Sequence, residues 1–505
     1  VFLVSLLVFG VCGGMVYGMI FNHRVSLPGW PADGGFNAGG SVTIGLVEAP
    51  PSLDIRKLKD SDATAVQQAL LGNVYESLLS LDENNRARPG VADSYTVSAD
   101  GLTYTFTIRD GKTFSNGDRL DADDVVWSLQ QTVSNHYAQA DRLTGLKSVK
   151  ANGANTVTVT LSEPNPDLPW LLAGRTGIVY DRDARYSYDT TAIGSGPFTV
   201  QSWDNGVSLT LKANGRYWGA KAKTGTVTLQ YYQDDDAAVA ALGRGDVDAI
   251  TPVAASEKAA LGRIGGVTVE QGESTHKIVL GFNNGADSIL SDKRYRQGVR
   301  YAIDRGALAG ALGGGRTLGG PLTPLEPGYE DLSGLYPHDT GRATDLLAYF
   351  FYISHRRTLT FVYPQRYGTQ VGELLKQQLY PMNVDLDVKA VDDNTWKQTV
   401  QQGKQYDFTL FDMNDSHDLA TLMDSGSFIG YESPAAQQLW AAARKSADET
   451  QYETAMRRLA RQISDDSPVD WLCVRQPLTA YRQGVTGLPK TMTDLRLPLA
   501  GVAKG

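Results

Sequence analysis

The groups able to do chemistry in this 505-residue chain are mostly carboxylates, and three of them stand at regular spacing in one segment. Residues 406–423, YDFTLFDMNDSHDLATLM, carry Asp412, Asp415 and Asp418, with Asn414 and His417 between them. A carboxylate that faces a ligand ammonium makes a charge-assisted hydrogen bond, contributing roughly 1.5–3 kcal/mol. The same residue types also serve as solvated loop carboxylates and as helix caps. Catalytic and metal chemistries find weaker support. The six histidines, at 23, 136, 276, 338, 355 and 417, are scattered and form no His-x-x-x-His pair. There are two cysteines, Cys12 and Cys473, and Cys12 lies in an apolar N-terminal segment. Neither a structural zinc site nor an intramolecular disulfide is therefore expected. No Gly-x-Ser-x-Gly elbow and no dinucleotide fingerprint occurs. Gly313-Gly314-Gly315 lacks the Lys-Ser/Thr of a phosphate loop. Carboxylates are numerous, but a glycosidase pair is decided by separation in space rather than by counting. The chain reads as a non-enzyme with no cofactor and no metal site.

The length suits two or three domains, and a composition of 42% hydrophobic and 20% charged residues is that of an ordinary globular protein. A net charge of −9 argues against a nucleic-acid partner. Residues 1–21 are apolar and uncharged, long enough to span a bilayer at about 1.5 Å per residue. A cleaved signal peptide lacks a clear small-x-small site here. A lipoprotein would use Cys12, yet Phe9-Gly10-Val11 matches poorly and apolar residues continue past it. An uncleaved anchor fits best, and all three readings put the remainder outside the cytoplasm.

The elements that must position the acidic segment can be read from periodicity. After a Gly/Pro-rich linker at 22–41, Val42, Ile44 and Leu46 alternate as a first strand. Between the turn dipeptides Asp100-Gly101 and Asn116-Gly117, residues 102–109 alternate Tyr104, Phe106 and Ile108 against threonines, as in a half-buried strand. Asp121 is placed to cap a helix, with Asp123 and Asp124 in its first turn and Val125, Leu129 and Val133 along one face. One helix is expected over 291–308. Leu359/Phe361/Tyr363, a helix with Val371, Leu375 and Leu379, and Val384/Leu386/Val388 form a strand–helix–strand unit with parallel strands.

Residues 100–129, DGLTYTFTIRDGKTFSNGDRLDADDVVWSL, closely resemble the signature of the family 5 extracellular solute-binding proteins, the peptide- and nickel-binding receptors of ABC importers. Asn73 to Leu79 (NVYESLL), Gly194-Ser195-Gly196-Pro197-Phe198 and Asp466-Ser467-Pro468-Val469 resemble further family phrases, so that the likeness runs from about residue 42 to 490. It implies an α/β, two-lobe fold of the periplasmic-binding-protein type (type II, cluster C), preceded by the N-terminal apolar helix. Its domains would be lobe I at 42–80, 191–284 and 477–505, an inserted domain at 81–190, and lobe II at 285–476. The 100–129 signature then falls in the inserted domain, away from the cleft.

The resemblance further implies a monomeric receptor that captures a peptide or other small solute and docks on an ABC permease. It places Asp415 on the carboxylate that salt-bridges a peptide amine, with Asn414 and His417 beside it. Phe411-Asp412 stands where relatives carry Gly-Trp, and the segment is one residue short, a departure that puts ordinary peptide specificity in doubt. An extra Asp412 would suit a second positive charge on the ligand. Trp396 matches an aromatic that packs on the ligand, and Ser52, Leu53 and Asn283 match loops that line the cleft. A family-derived sensor or envelope-assembly protein is the alternative reading.

Overall fold

The computed structural model describes residues 37–59, 62–351, 357–414, 416–424 and 426–505. The segment 1–21 with Cys12, most of the linker, and Asp415 lie outside the described residues. Among the described residues, no helix is long and apolar enough to cross a membrane.

Strict alternation builds a four-stranded antiparallel sheet, ordered Ala92–Val97, Thr103–Ile108, Thr156–Leu161, Leu146–Ala151. Tyr104, Phe106 and Ile108 point into its core, with Phe106 opposite Val157 and Tyr104 opposite Val159. Full burial of a ring such as that of Phe106 contributes about 1.5–3 kcal/mol. Helix Ala122–Ser134 packs against this sheet. Asp121 accepts from Asp123 N, and the Asp124 carboxylate accepts from Asp121 N, closing a capping box. Val125 and Leu129 are buried as expected, but Val133 is exposed. Each four-residue step overshoots the 3.6-residue turn by about 40°, so the third member of the series has rotated off the core face. Ser128 and Thr132 take the inward positions, their hydroxyls bonded to Asp124 O and Ser128 O.

The first large sheet has seven strands, ordered Val267–Gln271, Leu478–Arg482, Ala249–Val253, Asn37–Leu46, Thr224–Tyr231, Ser208–Ala213, Phe198–Asp204. Asn37–Leu46 is parallel to both neighbours, with Val42, Ile44 and Leu46 in the core. The passage into Phe198–Asp204 explains its glycines. A Cβ on Gly194 would lie 2.0 Å from Val74 O, and one on Gly196 2.4 Å from Asn73 O, so only glycine lets these backbones touch.

The second large sheet has six strands, ordered Arg316–Thr317, Val469–Val474, Lys277–Phe282, Phe408–Met413, Arg357–Pro364, Val384–Val391. Its parallel pair, Arg357–Pro364 and Val384–Val391, flanks helix Gln370–Leu379 in sequence as expected. Two expectations need correction. Lys277–Phe282 is antiparallel to Phe408–Met413 and Val469–Val474, so it belongs to the second sheet rather than to the first lobe ending at 284. A strand buried along its whole length carries no periodicity that says which sheet it joins. The helix expected over 291–308 is two, Lys293–Ala302 and Arg305–Ala311. Ile303 adopts an extended conformation, and the Asp304 carboxylate caps the second helix through Ala307 N.

Two short passages, 272–276 and 475–477, connect the two large sheets. They run side by side, with Arg475 N donating to His276 O at 2.8 Å. Adjacent narrow connections of this kind are what a hinge between two lobes requires.

Candidate ligand site between the lobes

The loop that follows strand Phe408–Met413 meets the inserted domain at a seam. His417, held at a left-handed φ of 63°, brings Nδ1 to 2.6 Å from Asp167 Oδ1. Its ring stacks on Trp170, with centroids 4.6 Å apart. The Tyr452 hydroxyl donates to the same Asp167 oxygen at 2.6 Å. Burial opposes a charged imidazole, but the Asp167 carboxylate outweighs it and holds the His417 pKa above its ordinary value. For Asp167 burial also acts against the charge, and His417 and Tyr452 prevail to keep its pKa low. Both directions favour an ion pair. Asn85 reinforces the seam by donating to Ser416 Oγ and Leu325 O and accepting from Trp170 Nε1. Exposed Arg86 reaches Glu449 and Glu453, contacts that solvent screens to about 0–1 kcal/mol.

A cavity of about 150 Å³ opens along this seam. Tyr95, Tyr104 and Trp170 line it from the inserted domain, and Pro324, Leu325 and Tyr452 from the second lobe, with Arg88, Glu326 and Glu453 adding charge. Tyr104 of the signature strand forms part of this wall, which lies between the inserted domain and the second lobe. A strand in a sheet presents residues to its packed face regardless of what packs there, and here the second lobe approaches that face.

Beneath the loop lies a buried charge cluster. Lys277 Nζ is 3.1 Å from both Glu326 oxygens and 3.1 Å from Asp418 Oδ1, and the Lys277 and Glu326 side chains have no exposure. Burial would lower the Lys277 pKa, but Asp418 and Glu326 outweigh it and raise it. Glu326 also accepts from Thr323 N and His417 N, which ties the loop to the cluster.

At the hinge, Asp412 accepts contact from His276 Nε2 at 3.0 Å and a hydrogen bond from Arg366 Nη2 at 3.1 Å. Burial alone would raise its pKa, and His276, with the Arg475 guanidinium and the Tyr367 hydroxyl, holds it well below the usual carboxylate range.

The residues singled out from sequence divide accordingly. Asp412 and His417 lie at the hinge and the seam, and Asn414 is exposed on the loop between them. Asp415 lies outside the described residues. Ser52 is half-buried and donates to Asp189 Oδ1. Leu53 is fully buried in the core of the first sheet and has no side-chain surface to offer. Phe411 and Trp396 pack with Phe428 in the second lobe's core, Trp396 Nε1 donating to Thr409 Oγ1. Asn283 follows the far end of Lys277–Phe282, about 20 Å along the strand from the hinge, and its amide donates to Lys404 O and Tyr406 O. The sequence reading missed Asn85, Asp167, Trp170, Lys277 and Glu326. Lys277 alone carried a signal, a lysine opening an otherwise apolar strand.

Among the described residues, no group of three or more His, Cys, Asp or Glu could hold a metal ion. The signature of the bacterial extracellular solute-binding proteins, family 5 Middle, matches residues 86–426. The chain belongs to this family. It is accordingly an extracytoplasmic solute-binding protein of the kind that serves ABC transporters. It is 26% identical to Protein XP55 of Streptomyces lividans, covering 87% of this chain and 84% of that one. To the oligopeptide-binding protein AppA of Bacillus subtilis it is 23% identical, covering 86% of each. Among solved structures, the ABC transporter substrate-binding protein CtaP of Listeria monocytogenes shares the fold with a TM-score of 0.81 at 21% identity, covering 92% of this chain and 99% of that one. AppA of Bacillus subtilis in complex with a nonapeptide superposes with a TM-score of 0.71 at 19% identity, covering 92% and 99%.

Proposed function

We propose that this solute-binding protein captures a peptide or a related small solute between its lobes and delivers it to a membrane permease. Residues 1–21 hold it, as a monomer, to the outer face of the membrane. The observation that carries this reading is the seam. Contacts from Asp167, Asn85 and Arg86 of the inserted domain to the second lobe close over a cavity walled by aromatic and proline side chains. Its volume of about 150 Å³ compares with that of an engineered cavity that admits benzene, which suits one ligand side chain rather than a whole peptide. Asp415 is the proposed amine anchor, because Asp412 is already engaged by His276 and Arg366. Asn414 and His417 flank it, and Ser52 contributes from the first lobe. Relatives whose names record oligopeptide and glutathione binding support a peptide-like solute.

The test is mass spectrometry of solute released from the purified full chain, together with melting-temperature shifts against peptide pools. A ligand at 100 times its Kd stabilises by about 2.7 kcal/mol. Asp415→Ala should abolish the shift given by free-amine peptides. Absence of both a released solute and any shift would sink the reading. That result would favour a sensor or envelope-assembly protein, which the internal pairing of Asp412 also accommodates.

A further inference from the structure

We infer that the seam cavity takes a neutral aromatic ring carried by the captured solute, so that peptides with a phenyl side chain are preferred over those with aliphatic or charged ones. This rests on the proposed capture of a solute between the lobes and names the chemistry of that same cavity. The size of the occupant follows from the space, since about 150 Å³ admits a group the size of benzene. Its charge follows from the walls. The charged side chains that line the cavity are already engaged: Arg86 by Glu449 and Glu453, Arg88 by Asp82, Glu326 by Lys277, and His417 by Asp167. Asp448 caps the helix that begins at Glu449, accepting from Gln451 N. Polar groups within the wall are satisfied too. The Trp170 indole donates to Asn85, the Tyr104 hydroxyl to Asn165 O, and the Tyr452 hydroxyl to Asp167. An ionised group entering here would lose its water without gaining a free partner, so the walls discriminate against charge.

What the walls offer instead is aromatic and proline surface. Tyr95, Tyr104 and Trp170 come from the inserted domain, and four prolines line the cavity, two from each side. Tyr95 keeps 36% of its surface exposed, and its ring centroid lies 6.5 Å from that of Tyr104 and 5.6 Å from that of Phe106. Rings at such separations form the offset and tilted pairs that aromatic groups prefer, and a further ring gains from joining them beyond the area it buries. An aliphatic side chain of similar size gains the burial alone.

The experiment measures trialanine, and trialanine with Phe, Leu, Lys, Glu or Trp at each position in turn, on the full chain in detergent by calorimetry and melting temperature. At its best position Phe should bind roughly 10- to 100-fold more tightly than trialanine and roughly 2- to 10-fold more tightly than Leu. Lys and Glu should bind no more tightly than trialanine. Val97 lines the cavity opposite Tyr104, so Val97→Phe fills the space and should reduce binding of the Phe peptide to that of trialanine. Leu325→Ala enlarges the same space from the other side and should move the preference from Phe to Trp. Equal binding of trialanine and all its variants overturns the ring assignment while leaving solute capture intact. Leu bound as tightly as Phe, or Lys or Glu bound more tightly, overturns it as well. Binding of none of the peptides overturns peptide capture and this assignment with it. A Phe preference unchanged in Val97→Phe and in Leu325→Ala, each folded as judged by a cooperative melting transition, would put the ring elsewhere and overturn the assignment to this cavity.

Discussion

The inserted domain and the loop after strand Phe408–Met413 use the same polar residue types and satisfy them over different distances. In helix Ala122–Ser134, Asp121 and Asp124 cap within three residues, and Ser128 and Thr132 bond to carbonyls four residues back. In the loop, Asp418 finds Lys277 at a separation of 141 residues, and His417 finds Asp167 at 250. Local partners let an element form its own bonds before any tertiary contact exists. Distant partners make the loop's geometry depend on tertiary contacts, within the second lobe for Asp418 and Lys277 and across to the inserted domain for His417 and Asp167. The contrast also separates scaffold from site: the first region stabilises itself, and the second depends on what meets it.

The sharpest way to break this contrast is Lys277→Ala. It leaves Glu326 and Asp418 buried without their cation, and a loss of about 3–5 kcal/mol is expected by urea denaturation. A loss below about 1 kcal/mol would mean that water reaches the cluster. Next comes the His417–Asp167 pair, whose charge-assisted bond is worth roughly 1.5–3 kcal/mol. The His417 pKa is raised above 6.5 and the Asp167 pKa lowered below 3.8 in the folded chain. The stabilisation is therefore complete between those two pH values. It is lost as pH rises through the raised His417 pKa, and as pH falls through the lowered Asp167 pKa. Melting temperature followed from pH 6 to 9 should decline in the wild type, and His417→Gln should flatten this component.

Smaller effects test the other side of the comparison. Asp121→Ala removes a local cap and should cost about 0.5–2 kcal/mol, without changing the pH profile that His417 sets. If the profile changed as well, the helix and the seam would be coupled, and the division into scaffold and site would fail. The least effect is expected from Arg86→Ala. Its exposed pairs with Glu449 and Glu453 contribute about 0–1 kcal/mol, and the difference from wild type should vanish in high salt.

Much of the scaffold was legible because its information is local. The alternation of Thr103–Ile108, the cap at Asp121 and the strand–helix–strand unit around Gln370–Leu379 all appear where periodicity and capping put them. The break at Ile303-Asp304 was missed because the apolar face continues across it, and an aspartate within a helical pattern does not announce itself as a cap. The site was legible only in outline. Asp412 and His417 were singled out, but as ligand contacts. Their partners His276, Arg366 and Asp167 come from other elements, and no spacing in the chain links them.

By itself the sequence determined the strands, the capped helices and the family whose phrases it repeats, since these rest on neighbours within a few residues. Only the tertiary structure decided which polar groups are already engaged. It turned Trp396, Phe411 and Leu53 into core, moved Asn283 to the far end of its strand, and brought Tyr104 to the seam. Among the described residues it also left the Arg475 Nε without a hydrogen-bond partner. Whether a charge is available to a ligand depends on what lies within a few ångströms of it. In a chain that crosses twice between two sheets, those neighbours come from segments hundreds of residues apart.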